Sequence, residues 1–221
     1  RLNAAVQACG GKPDTLQVII GQMVNLFRDG EPVRMSKRSG EMVTLQEVID
    51  EVGADAARYF LLMRSTDTTL DFDLGLAVKE TADNPVFYVQ YAHARISSIL
   101  RMAQTEGLPA TPEALADAPL ARLVEPDERQ LLFKLATYPD EIAAAALAME
   151  PYRLTRYAQE LATGFHQFYT NCRVLTDDRE LTLARLALIV GARTVLRNVL
   201  EDVLGVTAPD RMESLATKAE G

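Results

Sequence analysis

The sequence predicts a mainly α-helical protein in which a short α/β stretch is followed by a bundle of four or five helices. Three observations predict it. Residues 1–78 mix helical and strand-like patterns, whereas from about residue 80 only helical periodicity is found. Three prolines, Pro126, Pro139 and Pro151, each open an apolar-periodic segment. The chain has 221 residues, of which 48% are apolar and 24% charged, enough to build a sizeable core and unlike a disordered chain.

Taken in order, Leu2 to Ala8 reads as a helix end, stopped by Cys9-Gly10-Gly11, with Pro13-Asp14 as a turn. The β-branched run Leu16-Gln17-Val18-Ile19-Ile20-Gly21 predicts a buried strand, and Gln22 to Phe27 a short helix leaving it. Arg28-Asp29-Gly30-Glu31-Pro32 is a turn by composition. Thr44-Leu45-Gln46-Glu47 has the T-x-x-E form, in which each side chain satisfies a free backbone N–H near the other; the helix it opens stops near Gly53. Asp55, whose carboxylate suits the positive end of a helix, opens another that runs to about Arg64. Thr68 to Asp73 reads as an extended connection. Asn84-Pro85 is a strong start signal for a helix reaching about Gln104. Residues 105–125, with three prolines, form a loop with one short helix. The last long helix starts near Asp177-Asp178 and is closed by Gly205.

Charge and cysteine usage narrow the function classes. The net charge is −8, with 8 cationic and 11 anionic residues before Lys79 and 15 against 20 from there on. Bulk attraction to nucleic acid is thereby excluded, though not a site built from a few placed groups. Cys9 and Cys172 form no CxxC and have no histidine cluster nearby, so neither a disulfide scaffold nor a metal site is expected, and a cytoplasmic protein is. The richest apolar stretch, Leu181 to Leu204, is broken by Arg185, Arg193, Arg197, Glu201 and Asp202 and is no membrane span. The chain shows no signal segment, lacks an initiator Met and begins in mid-pattern, which leads to the expectation of a piece of a longer chain.

Two segments carry chemistry. Val33-Arg34-Met35-Ser36-Lys37-Arg38-Ser39-Gly40 is a short, cationic loop with three positive charges in five positions, suited to folding over a polyphosphate. Charge content by itself equally fits a solvated surface turn. In the helix opened by Asn84, Val89, Ala92, Ile96, Ile99 and Ala103 share an arc of about 80° and form the buried stripe. Tyr88, Tyr91, Arg95, Ser98 and Met102 share the adjoining arc, placing two phenols and a guanidinium side by side at the core's edge. Such a face stacks unpaired bases and pairs phosphate; it equally suits half-buried packing tyrosines beside a surface charge. Tyr169 can join the same surface, whereas Phe165 and Phe168 read as core. His93 and His166 have no metal-like partners and read as structural, Asp55 and Arg58 as helix-end and packing groups, and Gln22 as having no direct role.

The order of residues, beyond their composition, carries a resemblance. Arg34-Met35-Ser36-Lys37-Arg38 resembles the KMSKS signature of class I aminoacyl-tRNA synthetases in the form used by arginyl-tRNA synthetases. Also similar to that family are Gln22-Met23-Val24, Arg28 through Val33, Gly53-Ala54-Asp55-Ala56-Ala57-Arg58-Tyr59-Phe60 and Leu70-Asp71-Phe72-Asp73-Leu74. So are Asp83 through Ile96, at the opening of the anticodon-binding domain, and Leu204 through Met212 at its end. The resemblance implies the C-terminal remnant of a class I nucleotide-binding α/β domain (1–40), stem-contact helices (41–79) and an all-helical anticodon-binding domain of DALR type (80–221). It implies a monomeric, cytoplasmic arginine–tRNA ligase that joins arginine to tRNA(Arg) through an arginyl-adenylate, with ATP and Mg2+. Lys37 and Ser36 would then be catalytic, with Arg34, Met35 and Arg38 joining them around ATP; Arg34 stands where the family usually has its first lysine. Tyr88, Tyr91, Arg95, Tyr169 and Met212 would hold the anticodon. Neither histidine lies in a HIGH-type sequence, so this stretch is not expected to catalyse the reaction alone. Alternatives are a stand-alone, non-catalytic tRNA-binding module and a helical interaction domain without RNA.

Overall fold

The computed structural model describes residues 1–13, 15–33 and 43–212. Helix α1 (Leu2–Ala8) ends at Cys9, with Gly10 in the left-handed region, as the Gly-Gly pair predicts. The strand expected at Leu16 to Gly21 is absent, and Val18, Ile19 and Ile20 are 55%, 50% and 83% exposed. The strand lies further on, at β1 (Val24–Arg28), where a short helix was expected. Both segments are apolar enough, and pairing decides between them. Asp29 and Gly30 both adopt positive φ, the geometry of a tight hairpin turn, which returns β2 (Glu31–Pro32) antiparallel to β1. On its other edge β1 pairs in parallel with β3 (Leu70–Asp73), Val24 opposite Leu70 and Phe27 opposite Asp73. The expected extended connection is therefore a strand of a three-stranded sheet ordered β2-β1-β3.

Asp73 locks this sheet. Its two carboxylate oxygens accept the Asp29 and Gly30 N–H groups of the hairpin turn, each at 3.1 Å, and it caps α4 (Leu74–Ala77) through Leu76 N. Helix α2 (Leu45–Val52) carries the predicted reciprocal cap between Thr44 and Glu47 and stops at Gly53, φ +83°. Helix α3 (Ala54–Leu62) packs on the sheet through Phe60, stacked on Phe72 at 5.1 Å. On its other side the Tyr59 hydroxyl, fully buried, donates to the Thr155 carbonyl at 3.0 Å, fastening α3 to the bundle.

The bundle consists of α5 (Pro85–Thr105), α6 (Pro126–Ala136), α7 (Tyr138–Ala148), α8 (Tyr152–Asn171) and α9 (Arg179–Arg197), each of α6 to α8 beginning at or beside its expected proline. Residues 105–125 contain two short 3-10 turns, at Glu113–Leu115 and Leu120–Arg122, one more than expected. Beyond α9 the helix widens into a π-helical stretch, Asn198–Leu204, closed by Gly205 at φ +64°. The predicted stripe of α5 is buried, with Val89, Ala92, Ile96 and Ala103 at zero exposure, in one core with Leu161 and Phe165 of α8 and Ile189 of α9. After Gly205 the chain continues without regular structure across α5 as far as Met212.

Candidate nucleic-acid interface

The cationic loop residues Arg34, Met35, Ser36, Lys37 and Arg38 lie outside the described residues. The predicted face of α5 lies within them. Its tyrosines are half-buried, and the structure divides the predicted set into two neighbouring groups.

The first group is aromatic. Tyr88 and Tyr91, one turn apart on α5, close on the imidazole of His166 from α8, with ring centroids 5.0 and 6.0 Å away. Phe165 backs that ring at 5.4 Å and Phe87 flanks Tyr91 at 6.3 Å. The Tyr88 hydroxyl donates to Thr163 Oγ1 at 3.3 Å. Burial, with the Arg95 charge acting in the same direction, pushes the His166 imidazole down to about 4, so the ring is neutral at pH 7. Its buried Nε2 has no hydrogen-bond partner among the described residues. Sequence reading set His166 aside as structural, because only the packing of α8 on α5 brings it between the tyrosines.

The second group is a pocket of about 330 Å3, within the range of small-ligand sites. Tyr91, Arg95, Ser98 and Arg101 supply its helical wall, and Arg211 with Met212 the opposite one. Tyr91, Arg95 and Met212 thus meet in one pocket, while Tyr88 stands outside it. Tyr169 orients Arg95 from behind. The guanidinium lies 4.9 Å from the Tyr169 ring centroid and donates from Nη2 to its hydroxyl at 3.2 Å. Beyond Tyr169 a second hollow, of about 650 Å3, is lined in part by Met102, Asn171 and Arg173. Arg101 and Arg211 escaped sequence reading. The spacing of Arg101 from Arg95 would not place them on one arc, and Arg211 joins only through the path of the C-terminal segment.

Electrostatically the pocket runs against the molecule. Three guanidinium groups converge in a chain of net charge −8, and among the described residues no carboxylate forms an ion pair with Arg95, Arg101 or Arg211. Unpaired guanidinium groups beside an aromatic ring suit a ligand that combines a phosphate with a planar base. Among the described residues no group of three or more His, Cys, Asp or Glu could hold a metal ion, and no helix is long and apolar enough to cross a membrane.

Comparison with known proteins identifies the family. The DALR anticodon binding domain family matches residues 89–212, the span from the middle of the aromatic face to the last pocket residue. Arginine–tRNA ligases of Moorella thermoacetica and Heliobacterium modesticaldum are each 55% identical over 212 and 214 residues. Those alignments cover 96% of this chain but only 37% and 38% of the two relatives, so the chain spans little more than a third of their length. A crystal structure of a Campylobacter jejuni arginyl-tRNA synthetase superposes with a TM-score of 0.78 at 31% identity, over 96% of this chain and 44% of that one. The Thermus thermophilus arginyl-tRNA synthetase superposes at 0.67 with 26% identity, over 87% and 35%. The chain therefore belongs to the DALR anticodon-binding domain family, and corresponds to the part of the arginine–tRNA ligases that carries that domain.

Proposed function

We propose that this chain is the tRNA-binding portion of an arginine–tRNA ligase and that the Tyr91–Arg95–Arg101 pocket receives an unpaired anticodon base of tRNA(Arg). The observation that carries the reading is the pocket itself: three unpaired guanidinium groups, a phenol and a methionine gathered in an otherwise acidic chain. Arg can fork onto a base edge or a phosphate, and the Tyr91 ring offers a stacking face. His166, itself packed by Tyr88, stacks on Tyr91, and Tyr169 holds Arg95, so the pocket is preorganised and loses little side-chain freedom on binding.

In the whole ligase, arginine, ATP and tRNA(Arg) are the substrates, and Mg2+ would enter with ATP. Lys37, with Ser36, Arg34, Met35 and Arg38 beside it, would neutralise phosphate charge during formation of the arginyl-adenylate. That assignment rests on the order of residues in the loop. A tRNA-binding module without catalysis is the alternative, and the retained Arg34–Gly40 sequence, which such a module has no use for, argues against it.

The test is equilibrium binding of the chain to an arginine tRNA at two salt concentrations. The competitor is the same tRNA with the middle anticodon cytosine replaced, because every arginine codon has G in its middle position. Salt-sensitive binding that weakens tenfold or more on replacement, and is lost alike for both tRNAs in Tyr91→Ala, is expected. Equal binding of both tRNAs by the unaltered chain would overturn the anticodon reading.

A further inference from the structure

The C-terminal segment that carries Arg211 and Met212 is held by side chains rather than by backbone pairing. Gln90, His93, Ser97 and Arg101 of α5, spaced three, four and four apart, occupy one arc of about 80°. They form a polar stripe beside the aromatic one, and the segment lies along it. Gln90 Nε2 donates to the Thr207 carbonyl at 3.0 Å and to Asp55 Oδ2 at 2.9 Å, while Thr207 N–H donates to the same Asp55 oxygen. His93 Nδ1 lies 3.0 Å from the Pro209 carbonyl; a carbonyl only accepts, so Nδ1 carries the proton. Arg101 Nη1 donates to the Asp210 carbonyl at 3.0 Å.

Three side chains, Ser97, Arg101 and Arg193 of α9, meet at Asp210, the residue before the pocket wall. Its Oδ1 accepts from Ser97 Oγ at 2.8 Å and from Arg193 Nη2 of α9 at 2.9 Å. Burial acts to raise the Asp210 carboxyl, but the Arg193 and Ser97 hydrogen bonds prevail and hold it below its ordinary value. Neither Arg193 nor Ser97 lines the pocket.

We propose that Asp210 is a positioning residue for anticodon discrimination: clamped between Ser97 of α5 and Arg193 of α9, it sets the chain so that Arg211 and Met212 close the pocket opposite Tyr91 and Arg95. The inference rests on the anticodon reading above and deepens it. Without the clamp, residues 211 and 212 leave the pocket, and what remains is an open cationic face on α5 that binds RNA without reading the base. A Coulombic partner on a second helix makes the clamp a device for holding geometry, since the two residues after it have no hydrogen bond of their own to α5 among the described contacts.

The experiment compares the unaltered chain with Asp210→Asn, Arg193→Gln and the double variant. Binding of the arginine tRNA and of its middle-cytosine variant is measured across a salt series, with thermal unfolding in parallel. Each single variant is expected to reduce the discrimination ratio at least fivefold, chiefly through weaker binding of the intact anticodon. The slope of log affinity against log salt should fall by about one counterion as Arg211 is withdrawn. The double variant should match the singles, because both break one clamp. Melting temperatures within a few degrees of the unaltered chain separate positioning from unfolding. Discrimination and salt slope both retained in Asp210→Asn would overturn the proposal while leaving the anticodon reading intact. An unaltered chain that does not discriminate would overturn both.

Discussion

Replacing Glu128 by Gln tests the strongest electrostatic commitment in the bundle. Glu128, at zero exposure, accepts from Arg185 Nε at 2.6 Å through one oxygen and from Glu125 N–H at 2.9 Å through the other. Arg185 is 7% exposed and spends one Nη1 bond, at 2.7 Å, on the Arg173 carbonyl just past the end of α8. Glutamine preserves shape and one acceptor but leaves the guanidinium buried without its counter-charge. Removing one partner of a buried pair costs about 3–5 kcal/mol, and the retained acceptor together with the Arg173 bond places this case near the lower end, at about 3 kcal/mol. For a chain of this size that corresponds to a fall in melting temperature of roughly 6–12 °C, and to a downward shift of the urea midpoint by about 1 M or more. Thermal and urea unfolding followed by circular dichroism measure both. The double variant Glu128→Gln with Arg185→Met should recover most of the loss, since it removes the stranded charge. Binding at the Tyr91–Arg95–Arg101 pocket should be unchanged, because neither residue lines it or bonds to the segment that closes it. A cavity of about 300 Å3, lined in part by Glu125, Glu128 and Arg185, offers the competing outcome. If water entering there solvates the guanidinium, Glu128→Gln will cost less than about 1 kcal/mol, and the reasoning from burial fails.

Two further outcomes follow from groups that burial has tuned. His166 has a folded-state value near 4, below the usual value of 6.5, so between those pH values the unfolded chain binds the extra proton and the folded one does not. The stability it contributes at neutral pH is therefore lost as pH falls from about 6.5 to about 4, by roughly 2–3 kcal/mol once solvent screening of the half-buried ring is allowed for. Melting temperatures of the unaltered chain and of His166→Gln, measured from pH 7 to 4.5, should converge as pH falls; parallel curves would remove the assignment. Cys9 is exposed whereas Cys172 is buried and its thiol is pushed above the ordinary value by that burial. A thiol reagent should titrate one cysteine rapidly and the second only on unfolding, and two fast thiols would contradict the packing of α8.

Some of the molecule is written in stretches short enough to act locally. The Thr44–Glu47 cap, the Asn84-Pro85 start of α5, the proline openings of α6 to α8 and the Gly205 stop each depend on a few neighbouring residues and formed where expected. The buried stripe of α5 also emerged as predicted, because a 3.6-residue period assigns residues to faces before any partner is known. Pairing between distant segments is another matter. Leu16 to Gly21 and Val24 to Arg28 are both apolar enough for a strand, and pairing with the two-residue β2 and with β3, more than forty residues away, selects the second. Likewise, Tyr88, Tyr91 and Arg95 could be placed on one arc from sequence. That His166 would brace the tyrosines, that Tyr169 would turn Arg95, and that Arg101 would share a pocket with Arg211 depended on α8 and the C-terminal segment docking on α5. The sequence alone thus determined which residues α5 offers to a ligand. Tertiary structure decided which of them converge, because a helix sets the angle of its own side chains but not what is packed across from them.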